Sequence, residues 1–140
     1  MRRMSPQEVR SFLDEGARTA ALATVDADGA PHVVPVWFVR DGDDLVITTM
    51  SSSVKARNMA HSPRVALTVD EERMPLSFVT VRGTATLITN PSDLLAWTTR
   101  MAHRYVPDDA EEVGRRNAAI DDMIVRIRLE KVVGIADLAE

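Results

Sequence analysis

Apolar residues recur along this chain with two different periods, and the changes of period mark its elements. Val9, Phe12 and Leu13 fall on one helical face. Ser5 can cap that helix, Pro6 suits its first turn, Glu8 completes a capping box, and Gly16 can end it. The pattern therefore predicts a helix over 5–16. Short runs then follow in quick succession. Residues 19–25 are apolar and end in Asp26-Ala27-Asp28-Gly29, a turn cluster. Residues 31–40 (PHVVPVWFVR) read as a strand in which Pro31 and Pro35 limit ladder bonds, so an edge or a bulge is expected there. Asp41-Gly42 turns the chain into a strand over 44–50, a meander of hairpins by its spacing.

A short helix is predicted over 54–61, closed by Ser62-Pro63, then strands over 64–70 and 77–89 with a polar loop between them. Asn90-Pro91-Ser92 opens a helix reaching about Tyr105, and 107–119 reads as a second helical piece. Residues 123–130 alternate, with Val125, Ile127 and Leu129 on one side and Arg126 and Arg128 on the other. Residues 131–135 continue that strand past a kink. The sum is one domain over 1–140, mainly β with inserted helices: an N-terminal helix, a barrel over 19–138, and a helical insertion at about 91–119. No regular alternation of strand and helix supports a parallel sheet, so a mostly antiparallel barrel of about six strands is expected.

Composition narrows the chemistry. The chain has no cysteine, which excludes thiolate metal sites, disulfides and thiol nucleophiles. A net charge of −4 gives no global basic field for nucleic acid or membrane. No apolar run approaches a membrane span and the N-terminus lacks a signal-peptide core, so a cytoplasmic location is expected. His32, His61 and His103 show no metal-ligand spacing. Asp121-Asp122 and Glu71-Glu72 read as solvated loop charges, and no general acid or base stands out.

One stretch carries candidate chemistry. In "TTMSSSVKARNM" (48–59) a strand end meets a helix start, with three serines at the joint and two cations, Lys55 and Arg57, just beyond it. Lysine is rare in this chain, occurring only at Lys55 and Lys131 among seventeen Lys and Arg residues. With Ser53 as cap, Lys55 falls where the helix already presents positive partial charge, a placement that an anion would relieve. Hydroxyls of Thr48, Thr49, Ser51, Ser52 and Ser53 would complete a phosphate cradle. The plain alternative is a capping serine and two cations facing water. Trp37 and Phe38 should point to opposite faces of their strand, and Trp97, Met101 and Tyr105 read as packing.

The run "GAPHVVPVWFVRDGDDLVITTMSSSVKARNMAHSPRVALTVDEE", with the later "VRGTATLI" and "RIRLEKVVGIADL", resembles the pyridoxamine 5′-phosphate oxidase-like superfamily, and within it the actinobacterial F420-dependent branch. The resemblance spans roughly residues 13–138 and rests on the order and spacing of segments. It implies a six-stranded antiparallel split β-barrel, the FMN-binding split barrel, acting as a homodimer with cofactor sites at the subunit interface. It also implies a phosphate held by 49–58, through Thr49, Ser53, Lys55, Arg57 and Asn58. The cofactor ring would lie near Val34, Pro35, Val36 and Trp37 on one strand and Ile47, Thr48 and Thr49 on the next. Arg126 or Arg128 would approach from the last strand. The chain shows no C-terminal substrate-phosphate motif of the FMN-using pyridoxamine phosphate oxidases. The KxRN helix and PVWF strand look more like the F420 branch. Coenzyme F420 is thus the expected cofactor and FMN the alternative. The activity implied is hydride transfer between F420 and a small electrophilic substrate. An FMN-dependent flavin reductase or oxidase, or a non-catalytic cofactor-binding protein, stays as the alternative.

Overall fold

The chain alternates hairpins and short helices around one antiparallel sheet. A computed structural model describes all residues, 1–140. In order it runs β1 (Arg2–Arg3), α1 (Pro6–Asp14), β2 (Ala20–Val25), β3 (Pro31–Val36), β4 (Val39–Asp41), β5 (Asp44–Thr49) and α2 (Val54–His61). There follow β6 (Arg64–Glu71), β7 (Ser77–Thr89), α3 (Leu94–Tyr105), a 3-10 turn at Pro107–Asp109, α4 (Ala110–Ile120) and β8 (Met123–Ala136). No helix is long and apolar enough to cross a membrane.

Eight strands are present where six were expected, and the reason lies in one segment. The strand order is β3-β2-β6-β7-β8-β5-β4, with the two-residue β1 added beside β8. The two ends of that order, β3 and β4, are consecutive in the chain and separated only by Trp37 and Phe38. The predicted strand over 31–40 is therefore one strand broken in two. Its first half pairs with β2 and its second half with β5, which brings the ends of the sheet together and closes the barrel. Pro31 and Pro35 lie in β3, which has β2 as its only ladder partner, as an imino nitrogen requires. Counting the broken strand once and omitting β1 recovers the six-stranded split barrel.

Local signals explain most boundaries. Around α1 the Ser5 hydroxyl accepts from the Glu8 N–H at 3.2 Å while the Glu8 carboxylate accepts from the Ser5 N–H at 3.2 Å, the reciprocal box read from the sequence. The helix ends two residues early, at Asp14. In the turn before β3, the Asp26 carboxylate accepts from the N–H groups of Asp28 and Ala30, both at 2.9 Å. The helical insertion opens at Leu94 with no side-chain cap. Thr98 then ties its two helices together, its hydroxyl donating to the Gly114 carbonyl at 2.8 Å.

The barrel interior is filled by alternate residues of the strands. Leu22, Phe38, Leu45, Ile47, Val69, Val79, Val81, Val125 and Ile127 are essentially fully buried there, joined by Leu13 of α1 and Met59 of α2. Each such side chain stabilises by about 1.5–3 kcal/mol. The kink expected in the last strand is a bulge. The ladder pairs Arg82 with Lys131 and then Gly83 with Leu129, leaving Glu130 unmatched. Gly83 faces this bulge so closely that any Cβ would run into the Arg128 carbonyl. That obstacle is backbone and cannot swing aside. Gly83→Ala should therefore cost at least about 2 kcal/mol of unfolding free energy by loss of ladder geometry. A denaturant midpoint indistinguishable from that of the parent protein would contradict this account of the bulge.

Candidate functional site

Where the broken strand leaves the ladder, Phe38 presents an N–H and a carbonyl that no neighbouring strand satisfies. Both are taken by the end of α3. The Phe38 N–H donates to the Tyr105 hydroxyl at 3.1 Å, and the Arg104 guanidinium donates to the Phe38 carbonyl at 2.9 Å. The Tyr105 hydroxyl itself donates to the Arg18 carbonyl at 2.8 Å, with the Phe38 carbonyl a second acceptor at 3.2 Å. Arg104 also donates to the carbonyls of Leu13 and Gly16, at 2.7 and 3.0 Å. No carboxylate pairs with this half-buried guanidinium, and burial lowers its pKa from the ordinary arginine value.

Phe38 points into the core and Trp37 to the other face, as the strand alternation required. Trp37 stacks on Tyr105 with ring centroids 4.7 Å apart and planes within 4°. The insertion is thus fixed over the β3–β4 break. Between it and the barrel lies a cleft of about 230 Å³. Pro35, Val36, Trp37, Thr48 and Lys55 line it from the barrel side, and Thr98, Met101, Asn117 and Asp121 from the insertion.

Five of the residues expected to hold a cofactor therefore meet in one place. The others are deployed differently. Val34 is half-buried against the core and Ile47 lies wholly inside it, so the Ile47 side chain faces away from the cleft. Thr49 is buried and its hydroxyl lies 3.0 Å from that of Ser53. Ser53 caps α2, accepting from the Ala56 N–H at 3.2 Å. Asn58 is turned inward and donates to the Thr24 hydroxyl at 3.0 Å, anchoring α2 to β2. Arg57 is exposed and does not line the cleft. The cradle expected at 49–58 is narrower than its sequence indicated, because Ser53 caps α2, Thr49 is bound to Ser53, and the Ser51 hydroxyl donates to Asp122. What remains open is the Lys55 ammonium, which has no carboxylate within ion-pair distance, and the N–H groups of Val54 and Lys55 at the start of α2. A cation beside two free amides suits a phosphate.

The arginines expected to approach from the last strand are occupied. Arg126 donates to Asp41 at 2.7 Å and to Asp44 at 3.3 Å, and Arg128 pairs with Glu130 at 3.5 Å. Neither lines the cleft. Lys131 lies elsewhere, with Arg64 and Arg82, in a groove of about 640 Å³ where β2 and β6 part company after Ala23.

Asp121 and Asp122 are not solvated loop charges. The Asp122 carboxylate accepts from the Ser51 N–H at 2.7 Å and the Ser51 hydroxyl at 2.8 Å, which holds its pKa below the usual carboxylate value. Asp121 accepts from the Thr48 hydroxyl at 2.7 Å. Burial pushes its pKa up, against the opposing pull of Thr48 and Lys55. Glu71 is also engaged: Arg73 foremost, then Arg18, hold its carboxyl at about 2. Asp121 was missed because nothing local marks it. Its place follows from the pairing of β5 with β8, which sets Thr49 opposite Met123 and carries the end of α4 to the cleft.

Comparison with known proteins agrees with this architecture. A family model described as pyridoxamine 5′-phosphate oxidase matches residues 5–135. Among solved structures, a conserved hypothetical protein from Mycobacterium tuberculosis superposes with a TM-score of 0.80 at 25% identity, covering 92% of this chain and 82% of its own. An F420 reductase superposes with a TM-score of 0.68 at 27% identity, covering 87% of this chain and 94% of its own. A FAD-binding protein from Mesorhizobium loti gives 0.68 at 26%, covering 95% and 93%. No curated protein matches the sequence.

The raised pKa of Asp121 has a consequence for stability. Its carboxyl holds a proton more tightly folded than unfolded, so stability falls as pH rises from the ordinary value of 3.8 to the raised folded value and stays reduced above it. Asp121→Asn keeps an oxygen for Thr48 and removes the buried charge. It should melt higher than the parent at about pH 7, with the difference vanishing below about pH 3. A lower melting temperature at neutral pH would mean that Lys55 outweighs the burial of Asp121.

Proposed function

The chain belongs to the pyridoxamine 5′-phosphate oxidase family, and from that premise we propose that it is an F420-dependent oxidoreductase acting on a small electrophilic organic molecule. The observation that carries this reading is the convergence of Thr48, Lys55 and the Pro35–Trp37 segment on one cleft, with free amides beside Lys55 at the start of α2. The donor set fits a phosphate-bearing cofactor of the flavin type. The ammonium, with the free amides beside it, suits a phosphate, while Pro35 and Trp37 offer an apolar flank to a planar ring. The F420 reductase among the similar structures supports the choice of cofactor.

In this reading the bound deazaflavin supplies the hydride chemistry, and the protein supplies position and environment. Lys55 neutralises the phosphate. Thr48 and the Pro35–Trp37 segment would hold the ring from the barrel side. Met101 and Trp37 narrow the cleft and keep water from one side of it. No side chain has to supply a nucleophile, in keeping with a family whose cofactor does the bond making.

The other side of the site is assigned to a second copy of the chain. Met50, Val54 and Ile120 are 41%, 44% and 55% exposed, and each lies within two residues of Thr48, Lys55 or Asp121. An apolar rim beside a polar cleft is the usual mark of a surface covered by a partner. A homodimer closing over the two clefts would bury these residues and complete each site. FMN is the second reading, favoured by the likeness to a FAD-binding protein.

Titration of the purified protein with F420, followed by the fluorescence of the coenzyme, tests the proposal. Saturable binding is expected, with the protein sedimenting at twice the chain mass. Lys55→Ala should weaken binding by about 1.5–3 kcal/mol, the usual worth of a charge-assisted contact. Absence of F420 binding, together with tight FMN binding and a yellow colour as isolated, would transfer the assignment to FMN. Affinity unmoved by Lys55→Ala would remove the phosphate from this cleft.

A further inference from the structure

The lining of the cleft holds one cation and one acid. Lys55 is the only basic residue in its lining and Asp121 the only acidic one. The Lys55 ammonium is among the groups that pull against the raised pKa of Asp121. Thr48 of β5 fixes one carboxylate oxygen by its hydroxyl, and Asn117 sits one turn earlier on α4. The remaining charges nearby point elsewhere. Asp122 is bound to Ser51, Arg57 lies outside the lining, and Arg126 is held by Asp41 and Asp44. A site built simply to attract phosphate would not bury a carboxylate beside its single lysine.

We propose that Asp121 is a specificity-determining residue: with Lys55 in the same lining, its carboxylate admits a singly charged phosphodiester and disfavours a doubly charged phosphate monoester. This rests on the cleft being the phosphate site of the proposed function. At the phosphate itself the two candidate cofactors differ in charge, the further carboxylates of F420 being carried on the tail beyond it. The phosphate of F420 is a diester with one negative charge, whereas the terminal phosphate of FMN carries about −1.5 to −2 near neutral pH. Lys55 balances one charge. The second charge of a monoester would meet Asp121 across a half-buried space where water screens poorly. Asp121 therefore acts against the wrong ligand more than for the right one, which is how small charge differences become selectivity.

The test compares dissociation constants for F420 and FMN, both read by fluorescence at about pH 7.5, in the parent, Asp121→Asn, Asp121→Ser and Glu112→Gln. The two neutral replacements at 121 should tighten FMN by about tenfold, which is one pKa unit of differential interaction, and F420 by no more than about threefold. Glu112 is an exposed acid on α4, so Glu112→Gln controls for net charge and should move neither value. Asp121→Ser guards against a fold defect particular to the amide. An unchanged ratio of the two affinities in both Asp121 variants overturns the inference while leaving the proposed cofactor site standing. An equal shift for both ligands overturns it too. Absence of binding of either cofactor to every variant overturns this inference and the proposed function together.

Discussion

Everything in this structure depends on how two backbone groups at Phe38 are satisfied. A strand that leaves one partner for another must pass through residues with no ladder on either side. Buried amides and carbonyls left unpaired there cost about 1–3 kcal/mol each. The protein meets that cost from outside the barrel, with Tyr105 and Arg104 at the end of α3. Because the same two side chains also hold Leu13, Gly16 and Arg18, one contact fastens the broken strand, the first helix and the insertion together. The stack of Trp37 on Tyr105 then follows, and so does the cleft between insertion and barrel.

The chemistry of that cleft is set by the elements so fixed. β5 delivers Thr48, α2 delivers Lys55 with its free amides, and the start of β8 draws the end of α4 inward with Asp121. The lining combines the polar groups of Thr48, Lys55, Asn117 and Asp121 with the apolar surfaces of Pro35, Trp37 and Met101. In the proposed reading, the choice between cofactors turns on how much negative charge Lys55 and Asp121 together tolerate.

Much of the fold was legible because its signals are local. The capping box at Ser5 and Glu8, the Asp26–Gly29 turn and the alternation in β8 each predicted the element that is found. Pro31 and Pro35 flagged an irregular strand, although only the register showed that the irregularity closes the sheet. The family resemblance carried the split barrel and brought Lys55, Thr48 and Trp37 forward as site residues. Direction was harder to read. Ile47 and Asn58 belong to the right segments but turn into the protein, one to the core and the other to Thr24. Arg104 and Asp121 were invisible for a different reason. Their partners lie more than sixty residues away, and no periodicity encodes that a carbonyl at Phe38 or a hydroxyl at Thr48 will be waiting.

Backbone amide chemical shifts of the isotope-labelled protein, recorded as F420 is added, test the central claim most directly. The account predicts that Val36, Trp37, Thr48, Lys55 and Asp121 move together with one saturation curve. Shifts confined to the groove of Arg64, Arg82 and Lys131, with the Lys55 cleft unmoved, would contradict it.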